Sequence, residues 1–205
     1  MTSKKIPSEL ENPIDNIIYK FPKYLFPFFR KLNFTANTLT TISVILGGLS
    51  IYFYIKKKYL YSAILIFISY MFDCFDGNYA RKYKMTSKFG SYYDSISDNI
   101  INGILLWLIY TKYKKLNNWK ACLPFIFIII LIISNAQLGC QEIYYNDGKN
   151  KNESPMLKFT KYLCPAKDKC GATKAMKIFR YGGVGTLILY LCFLILFSSV
   201  IDKEI

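Results

Sequence analysis

Histidine is absent from all 205 residues. That excludes imidazole as general base, nucleophile or metal ligand, and with it histidine-dependent hydrolases and most zinc enzymes. Acidic residues are scarce, 13 against 27 lysines and arginines, which leaves a formal net charge of +14. Arginine occurs only at Arg30, Arg81 and Arg180, so the planar fork that suits phosphate has few positions to occupy. The basic residues are scattered over loops rather than gathered on one recognition element, which argues against nucleic acid as a partner. Six cysteines (Cys74, Cys122, Cys140, Cys164, Cys170 and Cys192) make no framework. Cys164 and Cys170 are separated by five residues with no second pair, so a zinc site is not expected; the cysteines are expected to be reduced and to serve packing. Met1–Arg30 lacks a central apolar run before a small-residue cleavage site, so no secretory signal peptide is expected. There is no internal repeat.

What the chain has in quantity is apolar surface: 53% of its residues are hydrophobic and 18% aromatic. Five apolar runs stand out, at about 38–55, 59–75, 91–111, 121–140 and 182–201, and each reads as a membrane-crossing helix, since about 20 residues at 1.5 Å rise cross the hydrocarbon core. A weaker sixth candidate lies within 155–181. The expected fold is an all-α integral membrane protein, a polytopic bundle of five to six transmembrane helices with an N-terminal interfacial segment. Residues 1–34 form that cytosolic or interfacial segment, because 13–30 mix proline, aromatic and basic residues without a clean 3.6 period. Residues 35–201 form the membrane domain, entered through the capping chemistry of "NFTANTLTT" at 33–41 and interrupted by a polar loop at about 141–181, whose later part suits a short amphipathic helix. The N-terminal segment and the second and fourth loops carry 19 lysines and arginines against 7 in the first and third loops, which places the N-terminus and the second loop in the cytosol. The sequons at Asn33 and Asn152 then fall on the cytosolic side and are expected to be unused.

Against this apolar background, residues 73–98, "DCFDGNYARKYKMTSKFGSYYDSISD", concentrate four aspartates. Asp73 and Asp76 are three apart, and Asp94 and Asp98 four apart, so each pair shares one helix face. Packed antiparallel through a turn near Lys84–Gly90, the second and third spans would set all four carboxylates at one depth. Such a group needs a counter-charge, either from Arg81, Lys82 and Lys88 or from divalent cations. An all-oxygen site selects hard ions, Mg2+ or Mn2+, and two of them would attract a pyrophosphate and stabilise charge in phosphoryl transfer. Gly77 removes a side chain beside Asp76, Ala80 is small, Arg81 offers a phosphate fork, and Thr86 and Ser87 offer hydroxyls ahead of Gly90. Ionisable residues at membrane depth are functional by default, so the cluster outweighs a merely ion-paired hairpin.

The pattern Asp73-x2-Asp76-Gly77-x2-Ala80-Arg81-x8-Gly90-x3-Asp94-x3-Asp98 resembles, position for position, the signature of the CDP-alcohol phosphotransferase (CDP-alcohol phosphatidyltransferase) family, and "ANTLTTISVILGG" at 36–48 resembles the start of that family's first span. The resemblance implies a membrane transferase of phospholipid biosynthesis that moves a substituted phosphate from a CDP-linked alcohol to a second alcohol and releases CMP. It implies Asp73, Asp76, Asp94 and Asp98 as ligands of two divalent ions, with Asp98 also the general base. Asn37, Thr40, Gly77, Ala80, Arg81, Ser87 and Gly90 would hold the cytidine diphosphate. The chain's length is closer to the users of CDP-diacylglycerol than to the aminoalcohol branch, which joins CDP-choline or CDP-ethanolamine to diacylglycerol. The partners implied are the bilayer, a CDP-linked lipid and a small alcohol, with a homodimer open. Without the resemblance, the carboxylates alone would equally allow a pyrophosphatase or a lipid phosphatase; the non-enzyme rival is a cation-binding transporter or scaffold, although a transporter would more usually show broken spans or polar residues near mid-bilayer in several helices.

Overall fold

The computed structural model describes residues 6–116, 118–145 and 160–203. Among them are helices and no strands: α1 (Pro13–Ile18), α2 (Pro22–Lys31), α3 (Ala36–Ile55), α4 (Tyr59–Lys82), α5 (Lys88–Tyr113), α6 (Leu123–Tyr145), α7 (Lys169–Phe179) and α8 (Val184–Ile201), with single 3-10 turns at Trp119–Cys122 and Arg180–Gly182. Among the described residues, four stretches are long and apolar enough to cross a membrane: Ala36–Ile55, Tyr59–Lys82, Trp119–Tyr145 and Lys169–Ile201. Helix α5, with 26 residues, is long enough at about 39 Å, but its first half carries Asp94 and Asp98 and so falls short in hydropathy. Of the weak sixth candidate, residues 160–181 are described, and the α-helix there, α7, has 11 residues that reach only about 16 Å, too short to span by itself.

The α3–α4 hairpin is the spine. Thr35 caps α3, accepting from the Thr38 N–H at 3.2 Å while Thr38 Oγ1 accepts from the Thr35 N–H at 3.4 Å. Buried small residues then repeat along α3 at Ala36, Thr40, Ser43, Gly47 and Ser50. Ser43 and Ser69 exchange hydrogen bonds to each other's carbonyls at 2.9 and 2.8 Å, and one heptad further Ser50 bonds the Ser62 carbonyl at 2.8 Å. Small side chains let the two backbones approach, and the hydroxyls find partners where lipid offers none.

Helix α5 does not pack its backbone along α4, as adjacency in sequence suggests; its close neighbours are α3 and α8. Ile101 fills the groove opened by Gly47, where an added Cβ would stand 2.6 Å from its Cδ1. At the far end Lys112 pairs with Asp202 at 2.6 Å and Tyr59 also donates to Asp202, tying the ends of α4, α5 and α8 together. The separation between α4 and α5 is therefore bridged by side chains, which makes room for a polar site. A second correction concerns the cysteines. Cys140 on α6 and Cys164 form a disulfide across a Cα–Cα distance of 5.1 Å, in a small apolar cluster with Met176 of α7 and Ile6 and Leu10 of the N-terminal segment. Cys74, Cys122, Cys170 and Cys192 are free.

Candidate functional site

Helices α4 and α5 supply the carboxylates from facing positions. One oxygen each from Asp73, Asp76 and Asp94 lies within 4.8 Å of the others, and Asp98 lies against Asp73. Asp76 is buried and accepts a hydrogen bond from Thr40 Oγ1 of α3 at 2.5 Å, which fixes its orientation. Asp94 Oδ1 is fully enclosed and has no hydrogen-bond partner. The ion pairs of Lys112 and Lys57 are made with Asp202, at the other end of α5 from this cluster. Lys82, one of the expected local counter-charges, instead sits over the rings of Phe26 and Tyr83. Four clustered carboxylates, one with an orphaned enclosed oxygen, fit a hard cation with oxygen ligands.

Beside the carboxylates opens a cleft of about 250 Å³, to which α3, the last turns of α4, the 83–87 loop and the first turns of α5 all contribute. Asn37, Thr40, Gly77, Ala80, Arg81, Ser87 and Gly90 all line it, together with Asp76 and Asp94, whereas Asp73 and Asp98, both half-buried, are not among its lining residues. Ser87 is the N-cap of α5, accepting from the Gly90 N–H at 2.9 Å. Gly90 thus sits inside the first turn rather than ahead of the helix. A Cβ there would come 2.8 Å from Asn37 Oδ1 and 3.0 Å from Ser87 Oγ, so only glycine lets α5 approach the start of α3 this closely. Ala36, Met85 and Ser91 line the cleft without having been singled out in the sequence; Ser91 follows Gly90 directly, while Ala36 and Met85 carry no chemical signal to find them by.

The N-terminal segment packs on α4 and α8. Asp15 of α1 is buried and accepts from Tyr70 of α4 at 2.5 Å. Burial pushes its carboxyl up to about 6, against the hydrogen bonds from Tyr70 and the Gly185 backbone. An aspartate inside the apolar hexamer "PIDNII" was the available signal for this contact. The two remaining arginines are committed to structure. Arg30 stacks over Tyr83, and Arg180 donates to the Glu9 carbonyl and lies over the ring of Tyr181.

The sequence profile of the family described as CDP-alcohol phosphatidyltransferase matches residues 33–201. Among curated proteins, the chain is 34% identical over 96 residues to a CDP-diacylglycerol–serine O-phosphatidyltransferase of Helicobacter pylori, covering 47% of this chain and 37% of that protein. It is 30% identical over 95 residues to a CDP-diacylglycerol–glycerol-3-phosphate 3-phosphatidyltransferase of Aquifex aeolicus, covering 46% and 51%. A CDP-diacylglycerol–serine O-phosphatidyltransferase of Methanocaldococcus jannaschii is 34% identical over 107 residues, covering 52% and 47%. The chain thus spans about half or less of the length of these relatives. No solved structure matches it significantly. With a profile match that runs from the loop before α3 to the end of α8, the chain belongs to the CDP-alcohol phosphatidyltransferase family.

Proposed function

We propose that the protein transfers a phosphatidyl group from CDP-diacylglycerol to a small alcohol with release of CMP, at a site facing the cytosol. The observation that carries this reading is convergence. Asn37 and Thr40, which lie outside the signature, meet Gly77, Ala80, Arg81, Ser87 and Gly90 on one cleft whose wall holds Asp76 and Asp94. A cleft that joins hydrogen-bonding groups and an arginine to buried carboxylates suits a nucleoside diphosphate at its polar end and a lipid at its membrane end.

Asp73, Asp76, Asp94 and Asp98 would hold two Mg2+ or Mn2+ ions. Bound there, the ions would neutralise the pyrophosphate and stabilise the charge that develops on the transferring phosphoryl group. The chain's own residues do the rest. Thr40 holds the Asp76 carboxylate in one orientation. Arg81 donates to the diphosphate, and Asn37 and Ser87 hold the cytidine side. Asp98 takes the proton of the acceptor hydroxyl, whose oxygen forms a bond to the phosphatidyl phosphorus as the bond from that phosphorus to the CMP oxygen breaks. The excess of lysine and arginine on the N-terminal segment and on the second and fourth loops supports the cytosolic orientation.

Because Arg30 and Arg180 are both engaged away from the cleft, an uncharged or zwitterionic alcohol is favoured over a phosphorylated one. The reading is tested with purified protein and radiolabelled CDP-diacylglycerol against serine, inositol, glycerol 3-phosphate and inositol phosphate, with CDP-choline plus diacylglycerol as the rival direction. CMP and a labelled phosphatidyl product from one of the first set is the expected result. Product only from CDP-choline would move the protein to the aminoalcohol reaction, and no product from any pair would favour a transporter or scaffold.

One prediction arises from the Thr40–Asp76 contact. Thr40→Val keeps the shape and removes the hydroxyl, so the apparent Mn2+ affinity should fall by about 10–100-fold, as for other groups that orient a ligand. A calorimetric Mn2+ titration checks it, and an unchanged affinity would mean that Asp76 needs no such support.

A further inference from the structure

Three enclosed polar side-chain atoms of the described residues lack any hydrogen-bond partner: Asp94 Oδ1, Asn102 Oδ1 and Arg180 Nε. The last belongs to a guanidinium whose other nitrogens are engaged by Glu9 and Tyr181. The first is explained by a cation. Asn102 is left. It lies four residues beyond Asp98 and eight beyond Asp94 on α5, on the face those aspartates present to the interior. Hydroxyls buried between the helices find partners: Ser43 pairs with Ser69, Ser50 with Ser62 and Tyr54 with Ser198, and Tyr113 donates to the Leu194 carbonyl. Asn102 itself is half-buried, but its enclosed, unmet amide oxygen is out of character beside these pairs, and such atoms persist where a ligand completes them.

We propose that Asn102 reads the acceptor alcohol, its side-chain amide accepting a hydrogen bond from a second donor group of that molecule, a further hydroxyl or an ammonium. This rests on the transferase reading above. One helical turn separates Asn102 from Asp98 by about 6 Å along the axis. A donor on the carbon next to the reacting hydroxyl lies about 3 Å from it, and one hydrogen bond of about 2.9 Å completes the reach. The two residues can thus hold adjacent groups of one small molecule, Asp98 the reacting hydroxyl and Asn102 its neighbour. The diacylglycerol part of the donor brings only ester oxygens and hydrocarbon, neither of which satisfies an amide oxygen.

The test compares acceptors that differ by that one group: L-serine against 3-hydroxypropionate, and glycerol 3-phosphate against 3-hydroxypropyl phosphate. The wild type should favour one fuller acceptor over its truncated partner by at least tenfold in kcat/KM, since a site built around a hydrogen bond rejects the analogue that lacks it. In Asn102→Leu that ratio should fall towards one through acceptor KM, with KM for CDP-diacylglycerol unchanged, and Asn102→Ser should restore part of it. Thermal denaturation separates the alternative, because leucine at an idle, half-buried position with an enclosed polar atom should keep or raise the midpoint. A stabilised Asn102→Leu with intact discrimination, or a rise in KM for CDP-diacylglycerol equal to that for the acceptor, would overturn the assignment. Absence of CMP release by the wild type with every acceptor would instead remove the transferase reading, and the subsite with it.

Discussion

Asp98→Asn should lower turnover by about 10²–10⁴-fold while Mn2+ and CDP-diacylglycerol binding remain measurable. The substitution keeps the volume and one coordinating oxygen but removes the capacity to take a proton. Asp98 lies against Asp73 and is not among the residues that line the cleft. Its loss should therefore register in the chemical step more than in donor binding. Single-turnover measurement of CMP release, beside equilibrium binding of the CDP-lipid, separates the two. A fall in donor binding that matches the fall in rate would contradict the base role and make Asp98 a simple ligand.

Asp73→Asn and Asp76→Asn should act in the opposite sense, on the metal first and the rate second. Each exchanges an anionic ligand for a neutral amide within a group whose oxygens lie within 4.8 Å of one another. Apparent Mn2+ affinity should drop by about 10-fold or more, and activity should return in part when Mn2+ is raised, which it should not do for Asp98→Asn. Asp76→Asn also disturbs the hydrogen bond from Thr40, so it should be the harder of the two to rescue. An unchanged metal dependence in both variants would mean that the ligands are assigned wrongly.

The grouping of the aspartates is legible in the sequence because it is local. Helical spacing alone brings Asp73 to Asp76 and Asp94 to Asp98, and the 26 residues of the signature hold both pairs. Asn37 and Thr40 were placed by resemblance only, and the fold seats them on the same cleft. What could not be read is azimuth. Hydropathy reports how apolar a span is but not which neighbour it faces, so α5 was expected along α4 when Gly47 and Ile101 seat it on α3. The Ser43–Ser69 and Ser50–Ser62 pairs lie hidden in runs that read simply as membrane. The Cys140–Cys164 bond joins residues 24 apart across a polar loop, with no spacing rule to mark them. Asn102 is not legible in the sequence, because a lone asparagine in a span carries no motif; it stands out only by the missing partner of its oxygen.

The central claim is that these aspartates support transfer of a phosphatidyl group with CMP as leaving group. The most direct measurement is the stoichiometry of CMP to phosphatidyl product, taken with purified protein in mixed micelles before and after removal of divalent ions by chelation. One CMP per phosphatidylated alcohol is expected, lost on chelation and restored by Mg2+ or Mn2+. CMP accompanied only by phosphatidic acid, or equal turnover with the ions removed, would contradict it.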